Sequence, residues 1–186
     1  MALVLNGSSN TIGGVAVGGL PDGIVDTDMI AANAVSSAKL ASGVGGKVVQ
    51  FVQAQSSASV ETTSSSYQTF SQINVAITPT SATNLLFAQL SVPALVYEQS
   101  GNDANSQIAL TSNDGSSYFF QNIHRFYDYG GSGGYMECVT GGHTVNAAGS
   151  TSERTYKVRY RLLGGDKIVI NSGGGLSILT VMEIEA

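Results

Sequence analysis

Apolar and polar positions alternate most clearly at 156–162, where Tyr156, Val158, Tyr160 and Leu162 share one side and Lys157, Arg159 and Arg161 the other. A period of two is the signature of a strand with one buried face. The same reading predicts strands at 48–53, 67–77, 85–92, 107–111, 117–127, 135–139, 167–170 and 176–184. Turn formers separate them: Thr78-Pro79, Asn113-Asp114-Gly115, Gly164-Gly165-Asp166 and Ser172-Gly173-Gly174-Gly175. The Ser/Thr-rich stretch 56–66 is expected to be a surface loop. Many short strands with no helical period between them predict an all-β domain over 47–186, a jelly-roll-like β-sandwich.

The last strand is apolar in both phases, with Leu176, Ile178, Met182 and Ile184 in one and Leu179 and Val181 in the other. A strand apolar on both faces is covered on both. The second cover is either the domain's own loops or another subunit. Leu179, Val181, Met182 and Ile184 are therefore candidate residues of a trimer strand.

Residues 1–46 follow a different pattern. They hold no aromatic residue, and Val25, Ile30, Val35 and Leu40 recur every five positions. A five-residue step turns about 140° around a helix and changes face on a strand. The beat suits an extended, non-globular arm whose every fifth residue meets a neighbouring copy along a shared axis.

The run Asp28-Met29-Ile30-Ala31-Ala32-Asn33-Ala34-Val35, followed by Ala38-Lys39-Leu40-Ala41, resembles the ten-residue K-I-A-D-N-A-V-T…K-L repeats of bacteriophage tail-fibre and related virion proteins. Asn10-Thr11-Ile12-Gly13-Gly14-Val15 and Gly18-Gly19-Leu20-Pro21-Asp22-Gly23 are similar to the N-terminal arms of such proteins, especially in marine and cyanobacterial phages. Leu179-Thr180-Val181-Met182-Glu183-Ile184 resembles their terminal strand. Ala32 stands where the repeat often has an acid, and the repeats are few, which implies a short connector and not a long shaft. The resemblance implies a virion structural protein: a short trimeric tail-fibre component, made in the host cytoplasm, whose arm grips another virion protein. A capsid decoration or head-fibre protein has the same parts. A carbohydrate-binding module or small hydrolase is the alternative from another class, and a host surface glycan is the corresponding ligand.

Composition narrows the classes. Charged residues are 11% of 186, against about 25% in an average globular protein. The formal charge is -5, with 8 Lys+Arg thinly spread along the sequence, so no basic tract argues for nucleic acid. Cys138 is the single cysteine, which excludes an internal disulfide, and His124 and His143 are the two histidines. No basic residue precedes the short apolar run at the N-terminus, so it does not read as a signal peptide. The longest apolar stretch, 85–97, is interrupted by Gln89, Ser91 and Pro93 and is too short for a membrane-spanning helix. No cofactor, membrane insertion or enzymatic activity is expected.

Few motifs carry chemistry. Gly130-Gly131-Ser132-Gly133-Gly134 matches the G-x-S-x-G nucleophile pattern but lacks the strand and helix that motif needs. Asn6-Gly7-Ser8 is a glycosylation sequon by pattern only. Asp103 and Asp114, each beside Asn, sit in turns without EF-hand spacing and are read as turn formers. The aromatic segment 118–135 is expected to contain a central core strand, with Phe120, Asn122, His124 and Phe126 on one face and Phe119, Ile123 and Tyr127 on the other. Beyond it, Tyr127, Asp128, Tyr129 and Tyr135 are read as an exposed contact loop suited to stacking on sugars or a neighbouring protein.

Overall fold

The two-residue period becomes ten strands between Lys47 and the C-terminus. A computed structural model describes residues 4–6, 11–13, 35, 39, 47–99, 103–113, 117–127 and 133–186. The chain divides into two units, Met1–Gly45 and Gly46–Ala186. In the first, β1 (Val4–Asn6) pairs antiparallel with β2 (Thr11–Gly13), with Leu5 opposite Ile12. Val35 is exposed, while Val25, Ile30 and Leu40 lie outside the described residues.

The second unit is all-β: β3 (Val48–Ser56), β4 (Val60–Thr62), β5 (Gln68–Ile77), β6 (Leu85–Glu98), β7 (Ala104–Ser112), β8 (Tyr118–Phe126), β9 (Gly134–Ala147), β10 (Arg154–Gly164), β11 (Lys167–Ile170) and β12 (Ser177–Ile184). Four strands form one sheet in the order β5-β10-β7-β8. In the six-stranded sheet β9 pairs one side of β6; β12 and β11 follow each other along its other side, flanked by β3 and β4. All pairings are antiparallel, and the chain passes repeatedly from one sheet to the other. The result is a jelly-roll-like sandwich.

Three strands differ from expectation. β6 continues through Pro93 to Glu98, β9 reaches Ala147 and not Val139, and the supposed loop 56–66 contains β4. Pro93 is tolerated because of where its missing N–H falls. The N–H and C=O of one residue in an antiparallel ladder address the same neighbour, and the Pro93 carbonyl accepts from Asn171 N at 2.9 Å. Asn171 lies in the gap between β11 and β12, where no ladder bond is due. Its backbone is left-handed (φ 56°, ψ 38°), a conformation Asn accepts more readily than most residues. Its buried amide donates to the carbonyls of Ser56 and Ala58, and its oxygen accepts from Ser177 Oγ. One side chain thus ties the gap between β11 and β12 to the matching gap between β3 and β4.

The core lies between the sheets. Phe70, Ile73 and Val75 of β5, Ile108 and Leu110 of β7, and Tyr156 and Val158 of β10 meet Leu86, Leu90 and Val92 of β6, Ile168 and Ile170 of β11, and Leu179 and Val181 of β12. The last strand therefore resolves its two phases. Ser177, Leu179, Val181 and Glu183 face the core; Ile178, Met182 and Ile184 are only partly covered, and Leu176 is exposed. The phase richer in apolar residues points out.

Glu183 is fully buried. Its carboxylate holds the crossing between the sheets, the segment 78–84 that leaves β5 and enters β6. Oε1 accepts from Thr80 N, Thr80 Oγ1, Ser81 N and Asn84 Nδ2 at 2.7, 2.8, 3.4 and 2.7 Å. Oε2 accepts from Gln50 Nε2 of β3 at 2.7 Å, and that amide also donates to the Thr78 carbonyl. Burial pushes the Glu183 pKa up, but the donors from Asn84, Thr80 and Ser81 outweigh it and leave the group below its ordinary value. A folded-state pKa below the unfolded one adds stability that is complete above the ordinary carboxylate range and is lost as pH falls through the folded value. Removing the acceptor in Glu183→Leu leaves these donors unpaired and is expected to cost about 3 kcal/mol or more, with Glu183→Gln intermediate. Urea unfolding at pH 7 and pH 3.5 checks both points: the wild type should lose more stability on acidification than Glu183→Gln.

Candidate functional site: the outer face of the six-stranded sheet

Cross-strand register builds this face in rows. Met182 of β12 lies opposite Phe51 of β3 and Phe87 of β6, and Phe87 lies opposite Val145 of β9. Four strands therefore present Phe51, Met182, Phe87 and Val145 side by side, with Phe51 59% and Val145 51% exposed. The flanking row adds Ile184, Leu85 and Ala147, with exposed Val48 and Val49 at its β3 end. Such a contiguous apolar strip on a sheet face is of the kind that marks an interaction surface.

The next row is polar: Gln53, Thr180, Gln89 and His143. Gln53 Nε2 donates to Thr180 Oγ1 at 3.0 Å, and the His143 ring stacks on Phe87 with centroids 5.9 Å apart. A depression of about 260 Å³ opens beside it, lined by Gln53, Gln89, Ser91, Ile178 and Thr180. Farther along β6 the face becomes acidic and aromatic. A shallow groove of about 760 Å³ is lined by Leu95, Tyr97, Val169, Asp166 and the Lys167–Glu61 ion pair (2.8 Å). Tyr135, 62% exposed, stands opposite Tyr97, and Glu137 opposite Leu95.

Two of the residues read as one contact loop are described, and they stand at different strands. Tyr135 is on the outer face of β9, whereas Tyr127 follows β8 of the other sheet and its hydroxyl accepts from Arg125 Nη1 at 2.8 Å. Asp128 and Tyr129 lie outside the described residues. The aromatic strand β8 is also a sheet edge and not a central strand. Phe120, Asn122, His124 and Phe126 do share its inner face, against β9. Phe119 departs from expectation: a bulge between Leu110 and Thr111 leaves it extra in β8, and it turns inward to stack on Tyr156 at 5.4 Å. Ile123 is exposed on the outer side.

Glycines make the contact between β8 and β9. A Cβ on Gly134 would stand 2.8 Å from the Phe126 ring, and one on Gly142 would stand 2.9 Å from the Phe120 ring. The last glycine of the G-x-S-x-G match is thus a seat for a phenyl ring, while Ser132 lies outside the described residues. Between the two rings His124 Nε2 bonds Thr140 Oγ1, and Asn122 donates to the Gly141 carbonyl. Burial lowers the His124 pKa, which disfavours the charged form of the ring. Burial likewise raises the Cys138 thiol. Among the described residues no three His, Cys, Asp or Glu side chains are grouped as a metal site would need, and Asp114 lies outside them.

The cations, thin along the sequence, are concentrated by the fold. Strands β5, β7, β8 and β10 contain Arg125, Arg154, Lys157, Arg159 and Arg161 and no acid, whereas the six-stranded sheet contains Glu61, Glu98, Glu137 and Glu183 with Lys167 alone. Sequence spacing concealed this because Arg125 joins the β10 cations only through strand pairing.

No protein-family model matches the sequence, and no curated protein matches it. Among solved structures the chain is similar to Eiger TNF from S. frugiperda, with 13% identity over 73% of this chain and 94% of that one and a TM-score of 0.42. A likeness that slight brings nothing of that protein's activity to this chain.

The two phases of β12 make opposite demands on a charge. Val181→Asp places a carboxylate in the core without donors and is expected to unfold the domain. Met182→Asp places it on the outer face and should leave the far-ultraviolet circular dichroism and a cooperative melt intact.

Proposed function

We propose that the chain is a structural protein of a bacteriophage virion, a short trimeric tail-fibre component that attaches through residues 1–46 and presents its β-sandwich for assembly or host recognition. The observation that carries the self-association is the inverted β12: its outward phase is the more apolar one and continues across Phe51, Phe87 and Val145. Water contact with that strip costs free energy that neighbouring copies recover by covering it. The virion setting rests on the resemblance of residues 28–41 and 179–184 to phage tail-fibre repeats and terminal strands. In this reading the protein is mechanical, without catalysis or cofactor, and the arm grips a neighbouring virion protein.

Light scattering on the full chain tests the assembly. The mass expected is three times the 19.1 kDa chain, and Met182→Asp should reduce it to one chain without unfolding. A wild-type monomer at micromolar concentration overturns the trimer. Deleting residues 1–46 should abolish incorporation into virions while leaving the β-domain folded. Antibody labelling of purified particles then separates a tail fibre from a capsid decoration or head-fibre protein.

A further inference from the structure

The outer face of the four-stranded sheet is a basic surface with its guanidinium groups already oriented. Lys157, Arg159 and Arg161 project from alternate positions of β10, spaced about 7 Å apart by strand geometry. Arg125 stands two strands away on β8, opposite Asn105 of β7. Among the described residues the ion pair formed is Lys167–Glu61 on the other sheet, so no described carboxylate lies within ion-pair distance of these four cations, although Asp103 acts on Arg125 from farther away.

The groups holding them are neutral. Gln107 is nearly buried, and its Oε1 accepts from Arg161 Nε at 2.9 Å, Arg161 Nη2 at 2.7 Å and Tyr67 hydroxyl at 2.7 Å. The Arg161 guanidinium lies over the Tyr67 ring, 4.4 Å from its centroid, and Arg159 approaches the same ring at 5.9 Å. Arg159 Nη2 donates to the Tyr67 carbonyl, while its buried Nε has no partner among the described residues. Tyr118 packs against Tyr67 with centroids 5.0 Å apart. A second station repeats the pattern: Arg125 donates to Asn105 Oδ1 at 2.6 Å and lies 5.6 Å from the Tyr127 ring.

We propose that this face binds an acidic saccharide, a glycan bearing carboxylate or sulfate groups. Guanidinium groups match planar or tetrahedral oxyanions through paired N–H donors, and their orientation by Gln107 and Tyr67 lowers the ordering cost of binding. Between the cations the face offers tyrosine rings and the amides and hydroxyls of Gln121, Asn105 and Thr69, which suit a ligand rich in hydroxyl groups. A nucleic acid is the poorer match, because the chain's net charge of -5 opposes a long polyanion. This inference stands apart from the virion reading, since it concerns the opposite sheet and needs no trimer.

Titration calorimetry on the full chain, at low and moderate salt, tests it with a heparin hexasaccharide as the sulfated probe and trigalacturonate as the carboxylated one. Maltohexaose and a single-stranded oligothymidylate are the comparisons. At least one acidic saccharide should bind, more weakly as salt rises, and maltohexaose should not. Arg161→Gln and Arg125→Gln should each weaken binding tenfold or more, with Lys167→Gln on the opposite sheet unchanged. Circular dichroism establishes that each variant is folded; Arg125, exposed on an edge strand, remains informative if Arg161→Gln is not. Failure of both acidic probes, equal binding of maltohexaose, tighter binding of the oligothymidylate, or full affinity in folded Arg125→Gln overturns the proposal.

Discussion

The sandwich depends on how its two sheets are joined, and one buried carboxylate fixes the crossing from β5 to β6. Glu183 sits on the final strand of the six-stranded sheet and gathers the backbone and side chains of 80–84, the segment that has just left β5 of the other sheet. Gln50 of β3 completes it. A buried charge is costly unless its lone pairs are used; here five donors use them. The same contact sets the phase of β12. With Glu183 turned inward, Val181 and Leu179 must turn inward too, and Met182, Ile184 and Ile178 must turn out.

Much of the fold was legible in the sequence for a plain reason. A strand with one buried face writes its period into the chain, as Tyr156, Val158, Tyr160 and Leu162 do, and turn-forming Gly, Asn and Pro mark its ends. Legibility fails where the determinants are tertiary. Pro93 reads as a break, yet it is a strand residue because the ladder gap and Asn171 lie beside it. The strand expected to end at Val139 continues to Ala147 because β6 pairs with it over that whole length, and Gly142 leaves room there for the Phe120 ring. Phe119 breaks the alternation because a bulge adds one residue to β8.

The candidate surfaces were less legible than the fold. Counting apolar residues along β12 favours the phase of Met182 as the core, and only the position of Glu183, an acid in the less apolar phase, carries the contrary information. Reading it requires knowing that the crossing segment supplies donors, and Thr80, Ser81 and Asn84 lie about a hundred positions away in sequence. Likewise Tyr127 and Tyr135 are near neighbours in sequence and belong to different sheets. The basic face was hidden for the converse reason: Arg125 and Arg161 are far apart in sequence and are brought to one surface by the pairings of β7 with β8 and β10.

The two outer faces then differ in a way that fits one architecture. A sandwich has one core and two outer faces, and here the fold makes those faces chemically unlike. The six-stranded sheet carries the apolar strip and, except for Lys167, only acids; the four-stranded sheet carries the cations and no acids. A symmetric closed assembly must sequester one face of every copy near its axis and turn another outward. Apolar area is stabilised by being covered, whereas a guanidinium group without an ion-pair partner loses favourable hydration when it is covered. Covering Phe51, Met182 and Val145 therefore costs the chain little, and covering Arg159 and Arg161 would cost it much. In the proposed assembly the six-stranded sheet is therefore the face that would be buried, and the basic sheet the one left for the proposed ligand.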